Sequence, residues 1–180
     1  MPLLKNDNHT IEDIYALPEG QHAELINGVI YNMMPPNRIH QKLIGELYFT
    51  IRNYIKSNDG DCDIYLAPFG VFVNANDETY VEPDISVICD KNKLNDIGCN
   101  GAPDFIIEIV SPSSRKMDYC TKMTLYADAG VREYWIVDPF KECTTIYRFE
   151  EDAAPTIIPF LQPIQVGIYN GLKINISELL

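Results

Sequence analysis

Apolar positions recur along this chain with two different periods, and each change of period marks a new element. Ile39, Leu43, Leu47, Ile51 and Ile55 fall four residues apart, which lines them along one face of a helix, and Gly60 closes that segment. Upstream, "AELINGVIYNM" alternates about Asn27-Gly28, the mark of a hairpin with a two-residue turn. Pro35-Pro36 then breaks the chain before the helix. Near the start, Thr10 with Asp13 three residues on caps a short helix over "IEDIYALP", stopped by Pro18. After the long helix, "DIYLAP", "GVFVNA" and "EPDISVICD" predict short strands, and "DKNKLNDIGCNG" a polar loop. "DFIIEIVSP" and "VREYWIVDP" are continuous apolar runs, as strands covered on both faces require. Between them Ser113 or Ser114 caps a helix over "RKMDYCTKMTLYADA", which Gly130 ends. "TTIYRF" and "APTIIPF" read as antiparallel strands at a sheet edge. The order predicts an α/β fold, a mixed central β-sheet flanked by helices. With 180 residues and no repeats or linkers, residues 1–180 are expected to form one domain.

One polar residue interrupts the first buried strand. Glu108 stands between Ile107 and Ile109, and a carboxylate enters a dry core only if something compensates its charge. Two Pro-Asp pairs precede it, Pro83-Asp84 and Pro103-Asp104. Asp104 lies four residues away on the same strand, about 13 Å at 3.3 Å per residue, too far to share an ion. Asp84 opens a different strand, and if "DISVI" pairs beside "FIIEIV" the two carboxylates come within about 5 Å. Carboxylates that close call for a cation between them, and hard oxygen ligands completed by water suit Mg²⁺ or Mn²⁺. Such an ion serves hydrolytic phosphoryl chemistry, which also needs a positive group near the developing charge. Position 110 is valine, so the strand offers no lysine. Lys122, in the helix that follows, is the candidate.

Charge and cysteine content narrow the setting. The formal net charge of -12 repels nucleic acid on average, so any such partner needs a local positive surface. Arg38, Lys42, Arg115, Lys116 and Lys122 are the residues expected to supply it. Five scattered cysteines without a CxxC pair argue against a disulfide framework or a zinc knuckle and for a reducing cytoplasm. Three dispersed histidines argue against a histidine zinc site. No apolar segment is long enough to span a membrane, and "MPLLKNDNHTIEDIY" lacks a signal core.

Taken in order, "EPDISVI", "DFIIEIVSPSS", a lysine in the next helix and "YADAGVREYWIVDP" resemble the PD-(D/E)XK nuclease superfamily. More narrowly, they resemble its Uma-two branch of bacterial restriction-endonuclease-like proteins. The likeness runs from "AELINGVIYNM" through "YWIVDP". It implies a restriction-endonuclease-like core and Mg²⁺-dependent hydrolysis of DNA phosphodiester bonds, with Asp84 and Glu108 as metal ligands. The superfamily's usual lysine position is Val110 here, and the branch carries its lysine on the helix, as Lys122. The likeness also brings Glu24 and His40 into the site.

Each of these residues has a plainer reading. Glu108 can pair with a buried Lys or Arg. Lys122 stands four after Asp118, a common solvated helix pair. His40 can be a boundary residue beside the helix stripe, and Glu24 an exposed residue flanking the hairpin. Three functions fit: a metal-dependent DNA endonuclease, an inactive nuclease-like binding module, and a phosphodiesterase acting on RNA or a small nucleotide. Edge strands near the C-terminus allow a homodimer.

Overall fold

The computed structural model describes residues 8–151 and 153–180; part of the stretch read as lacking a signal core, residues 1–7, lies outside them. The helices are α1 (Ile11–Tyr15), α2 (Arg38–Ser57) and α3 (Met123–Ala129). The strands are β1 (Ala23–Ile26), β2 (Val29–Asn32), β3 (Asp63–Leu66), β4 (Val71–Phe72), β5 (Ile85–Ile88), β6 (Leu94–Asn95), β7 (Gly98–Asn100), β8 (Phe105–Ile109), β9 (Glu133–Asp138), β10 (Cys143–Arg148), β11 (Thr156–Pro159), β12 (Ile164–Gln165) and β13 (Lys173–Ile174).

Six strands form the central sheet in the order β11-β10-β9-β8-β5-β3. Only β8 and β9 run parallel, and the chain crosses between them through α3. Every residue of these two strands is buried, as their unbroken apolar runs demand. The sheet is therefore mixed and flanked by helices, as the pattern predicts. Phe105, Ile107 and Ile109 face α2, packing with Leu43, Leu47, Ile51 and Ile55. Ile106 and Val110 face the other way, toward Leu125, Tyr126 and Val131. Because side chains alternate along a strand, Glu108 shares the α3 face. The β1–β2 hairpin turns at Asn27 and Gly28, with φ of 50° and 75°, and both angles suit the two-residue turn.

Four expectations need correction. The stretch 90–101 is not a plain loop: β6 and β7 join β4 in a small three-stranded sheet, and "GVFVNA" supplies only the two residues of β4. Pairings this short carry no apolar period to read. A Cβ at Gly98 would stand 2.1 Å from the Gly70 carbonyl oxygen, so the close approach there requires glycine. The helix before β9 opens as a wide turn over Met117–Lys122 with i→i+5 hydrogen bonding. Cys62 and Cys89 form a disulfide across β3 and β5. The register Asp63–Ile88 sets them opposite one another, a proximity that a sequence separation of 27 residues conceals. That pairing removes the support the cysteine pattern gave to a reducing compartment. No helix among the described residues is long and apolar enough to cross a membrane.

Candidate active site

The antiparallel register pairs Ile85 with Ile107, so one step further Asp84 stands opposite Glu108 on the same face. The Ile109 N–H donates to Asp84 Oδ2 at 2.8 Å and the Asp84 N–H donates to Glu108 Oε2 at 3.3 Å. The two carboxylates thus sit side by side on neighbouring strands. Asp104 is elsewhere: it accepts from the Cys89 N–H at 2.7 Å and pairs with Arg132 at 3.3 Å.

Three further elements close on this pair. The Asn37 side chain caps α2 by accepting from the His40 N–H at 3.0 Å, fixing His40 in the first turn. Its Nε2 lies 3.1 Å from Asp84 Oδ2, while its Nδ1 is buried without a partner among the described residues. A carboxylate only accepts, so Nε2 carries the proton. From the wide turn, Lys122 sets its amine 2.8 Å from Glu108 Oε1 and 2.8 Å from Glu24 Oε1. Glu24, on β1, is buried rather than exposed and also accepts from the Glu82 N–H at 3.0 Å. The Tyr126 hydroxyl donates to Glu108 Oε1 at 2.9 Å. Asp84, Glu108, Lys122, Glu24 and His40 therefore converge, and Lys122 makes no ion pair with Asp118.

The sequence pattern missed three neighbours. Asp118, Lys122 and Tyr126 recur at intervals of four and all are buried; read as one helix face, that spacing would have found Asp118 and Tyr126. Asp118 is held from the preceding turn, where the Ser114 hydroxyl donates to its Oδ2 at 2.6 Å. Ser111 and Ser114 exchange side chain–backbone hydrogen bonds at 3.0 and 3.1 Å, which shapes that turn. Glu82 accepts from the Tyr80 hydroxyl at 2.8 Å and lies 3.4 Å from His22. No periodic signal marked it.

The electrostatics follow from crowding. Burial drives the Glu108 carboxyl well above the usual range; Lys122 opposes this, and Asp84, Asp118 and Glu24 add to it. Burial, opposed by Lys122 and the Ser114 hydrogen bond, raises Asp118 to about 6. Burial works against charge on Lys122, but Glu108, Glu24 and Asp118 outweigh it and hold the ammonium form. Burial opposes charge on His40 too, and the hydrogen bond and charge of Asp84 overcome it.

Among the described residues, Glu24, Glu82, Asp84, Glu108 and Asp118 set five buried carboxylates against Lys122, His40 and the half-exposed His22. So many like charges out of water need protons or a cation among them. Hard oxygen donors fit a divalent ion such as Mg²⁺ or Mn²⁺. Among the described residues no group of three or more His, Cys, Asp or Glu forms a ready-made cage. Asp84 and Glu108 are the two residues that could hold such an ion, with water completing its shell.

All of these groups open into one cleft of about 970 Å³, walled by residues such as Tyr31, Met33, Pro35, Pro68 and Met117. Among the described residues that line it, Lys122 is the one Lys or Arg. The expected basic cluster does not form there. Lys42 bonds to the Leu180 carbonyl, Arg115 pairs with Asp138 at 3.5 Å, and Arg38 and Lys116 are exposed outside the lining.

A crystal structure of "a putative nuclease belonging to DUF820" from Anabaena variabilis shares this fold, with a TM-score of 0.76 over 94% of this chain and 96% of that one, at 21% identity. The chain belongs to the Uma2 family, described as "Putative restriction endonuclease", which matches residues 11–176. An uncharacterized protein of Synechocystis, slr1290, is 26% identical over 130 residues, 72% of this chain and 67% of that protein.

Proposed function

We propose that the protein is an endonuclease that hydrolyses DNA phosphodiester bonds, using Mg²⁺ or Mn²⁺ held by Asp84 and Glu108. The observation that carries this reading is the buried surplus of carboxylates opening into the cleft, with a lysine ammonium among them. When bound, the ion would polarise a phosphate and lower the pKa of a coordinated water. The chain's own residues prepare the site for it. His40 and the Ile109 N–H fix one oxygen of Asp84. Lys122 and Tyr126 hold one oxygen of Glu108 and turn the other toward Asp84. Lys122 also supplies the positive charge that a developing phosphorane-like anion needs nearby. Membership of a family described as restriction endonucleases supports the substrate class. The exposed edge of β11, with Ile157 66% exposed, supports pairing of two copies across a twofold axis.

One observation favours a different reading. A cleft so short of cations suits a phosphodiesterase acting on a small nucleotide. Plasmid nicking by purified protein with Mg²⁺ or Mn²⁺ over a salt series, beside Asp84→Ala and Glu108→Ala, tests the endonuclease. The expected result is metal-dependent nicking lost in both variants. Activity that persists in both would reveal a contaminant. Absence of cleavage together with hydrolysis of bis-(p-nitrophenyl) phosphate would favour the small-nucleotide enzyme, and absence of both would leave a binding module.

A further inference from the structure

The cleft carries chemistry but little that attracts a polyanion, because Lys122, the one lysine among the described residues that line it, is held between two glutamates. An endonuclease on an acidic chain must find its phosphate contacts just outside. We propose that Arg115, Lys116 and Lys141, with Phe140 between them, form a docking surface for the DNA phosphate backbone beside the cleft. This inference rests on the endonuclease reading above.

Topology puts this surface within reach of the site. β8 and β9 are parallel, with Glu108 level with Ile136. Asp138 therefore lies one strand over and two residues further on, on the same face of the sheet. At about 3.3 Å per residue and 4.8 Å between strands, that is about 8 Å from the Glu108 backbone, or two to three nucleotide steps at ~3.4 Å of rise along one DNA strand.

Asp138 organises the surface without being part of it. It is fully buried and accepts from the Tyr119 hydroxyl at 3.2 Å and from the Phe140 and Lys141 N–H groups at 3.0 and 3.2 Å. These bonds fix the turn after β9. The Arg115 guanidinium reaches the same carboxylate at 3.5 Å and lies 5.7 Å from the Phe140 ring centre. Lys141 sits 4.6 Å over the Tyr119 ring. Two cations are thus set against aromatic faces: Lys141 keeps its charge free of a carboxylate among the described residues, while Arg115 shares its charge with Asp138 and presents the rest of its guanidinium outward. Arg115, Lys116, Phe140 and Lys141 are all exposed. Lys116 and Lys141 have no carboxylate partner among the described residues, and Glu142 is the one exposed acid in the same turn. Arg132 is engaged with Asp104 and Glu150, Arg148 with Glu133 and Glu151, and Lys91 with Asp63, whereas Arg38, Arg52, Lys56 and Lys173, which likewise lack a carboxylate partner among the described residues, are not set against an aromatic ring beside the turn after β9. Phe140, 53% exposed, offers a face on which a base or sugar can rest.

The test uses Arg115→Gln, Lys116→Gln and Lys141→Gln, singly and combined. Asp138 keeps three hydrogen bonds in all of them, so the turn should persist. Lys56→Gln serves as the control for loss of charge alone, because Lys56 lies near the far end of α2, about 27 Å from the first turn at 1.5 Å per residue. Binding of a labelled duplex of about twenty base pairs is followed by fluorescence anisotropy in EDTA over a salt series. Hydrolysis of bis-(p-nitrophenyl) phosphate is measured in parallel with metal. Each lost phosphate contact should flatten the slope of log affinity against log salt by about 0.9. The triple variant should flatten it about threefold more than a single one, with hydrolysis of the small ester unchanged and Lys56→Gln like wild type. A wild-type slope in the triple variant overturns the docking surface and leaves the endonuclease standing. Wild-type protein that hydrolyses the small ester but binds no duplex at low salt also overturns it. Failure of both assays in wild type removes the endonuclease reading together with the surface.

Discussion

Two glutamates are buried on adjacent strands of the same sheet, and they do opposite things. Glu133, at the start of β9, is 1% exposed. Its oxygens accept from the Trp135 indole at 2.7 Å and from the Gly167 and Ile168 N–H groups at 2.7 and 3.0 Å. Burial raises its carboxyl, and these hydrogen bonds together with Arg148 pull it back. Among the described residues, Glu151 shares Arg148 with it, but no carboxylate is among the causes that raise it, so it reads as a clasp holding the C-terminal segment to the sheet. Glu108, toward the end of β8, is equally hidden but sits among Asp84, Asp118 and Glu24. The difference teaches that burial of a charge does not by itself mark a site. What marks it is like charge gathered beyond what the local donors and cations satisfy.

The sharpest way to break this contrast is Lys122→Met. Removing one partner of a buried ion pair costs about 3–5 kcal/mol, and here two glutamates lose the same ammonium. We expect DNA hydrolysis to be abolished and chemical denaturation at neutral pH to show a destabilisation of that order. The loss should shrink at lower pH, because Glu108, whose carboxyl burial drives well above the usual range, can then take up a proton. A variant as stable and as active as wild type would remove Lys122 from the account.

Glu108→Gln and Glu133→Gln compare the two positions directly. At Glu108 the substitution relieves like-charge repulsion, so hydrolysis should disappear while stability holds or rises. At Glu133 it weakens hydrogen bonds made to a charged acceptor, each worth about 1.5–3 kcal/mol. Stability should fall by about that much while hydrolysis per folded molecule stays near wild type. Denaturant melts and single-time-point nicking on both variants check the pair, and similar behaviour at the two positions would erase the distinction.

A smaller effect is expected from His40→Gln. His40 holds Asp84 Oδ2 at 3.1 Å, and loss of such a partner to a metal ligand typically costs about 10–100-fold in metal affinity or activity. Activity within twofold of wild type would leave His40 as a packing residue.

The smallest is a pH effect. Asp118 is raised from 3.8 to about 6 in the folded protein. A raised folded pKa means the native state binds the proton more tightly than the unfolded chain. The resulting stability is fully present below about 3.8 and is lost as pH rises through about 6. In metal-free protein, Asp118→Asn should flatten the fall in stability between those values. Identical pH profiles for variant and wild type would contradict it.

The legible and illegible parts of the molecule divide along physical lines. The helix stripe from Ile39 to Ile55 and the apolar runs around Glu108 and Trp135 carry strong periods, so α2, β8 and β9 were readable. Glu108 betrayed itself by polarity against that background, and Asp84 followed from strand spacing. Glu24 and His40 have no such signal and entered only through the likeness to Uma-two proteins. Asp118 was read as a solvated partner of Lys122, because a helix pair four apart looks the same whether it faces water or a site. The wide turn that buries both leaves no trace in composition. The Cys62–Cys89 pairing and the two-residue ladders of β4, β6 and β7 depend on contacts between distant segments, which local pattern does not encode.

The central claim is that the carboxylate surplus at Asp84 and Glu108 holds a divalent ion. Titration of metal-free protein with Mn²⁺, followed by electron paramagnetic resonance of the free ion, tests it without any substrate. Wild type and Glu133→Gln should both bind Mn²⁺ with comparable affinity, and Asp84→Asn and Glu108→Gln should each lose that binding. Equal Mn²⁺ binding in all four proteins, or none in wild type, would contradict it.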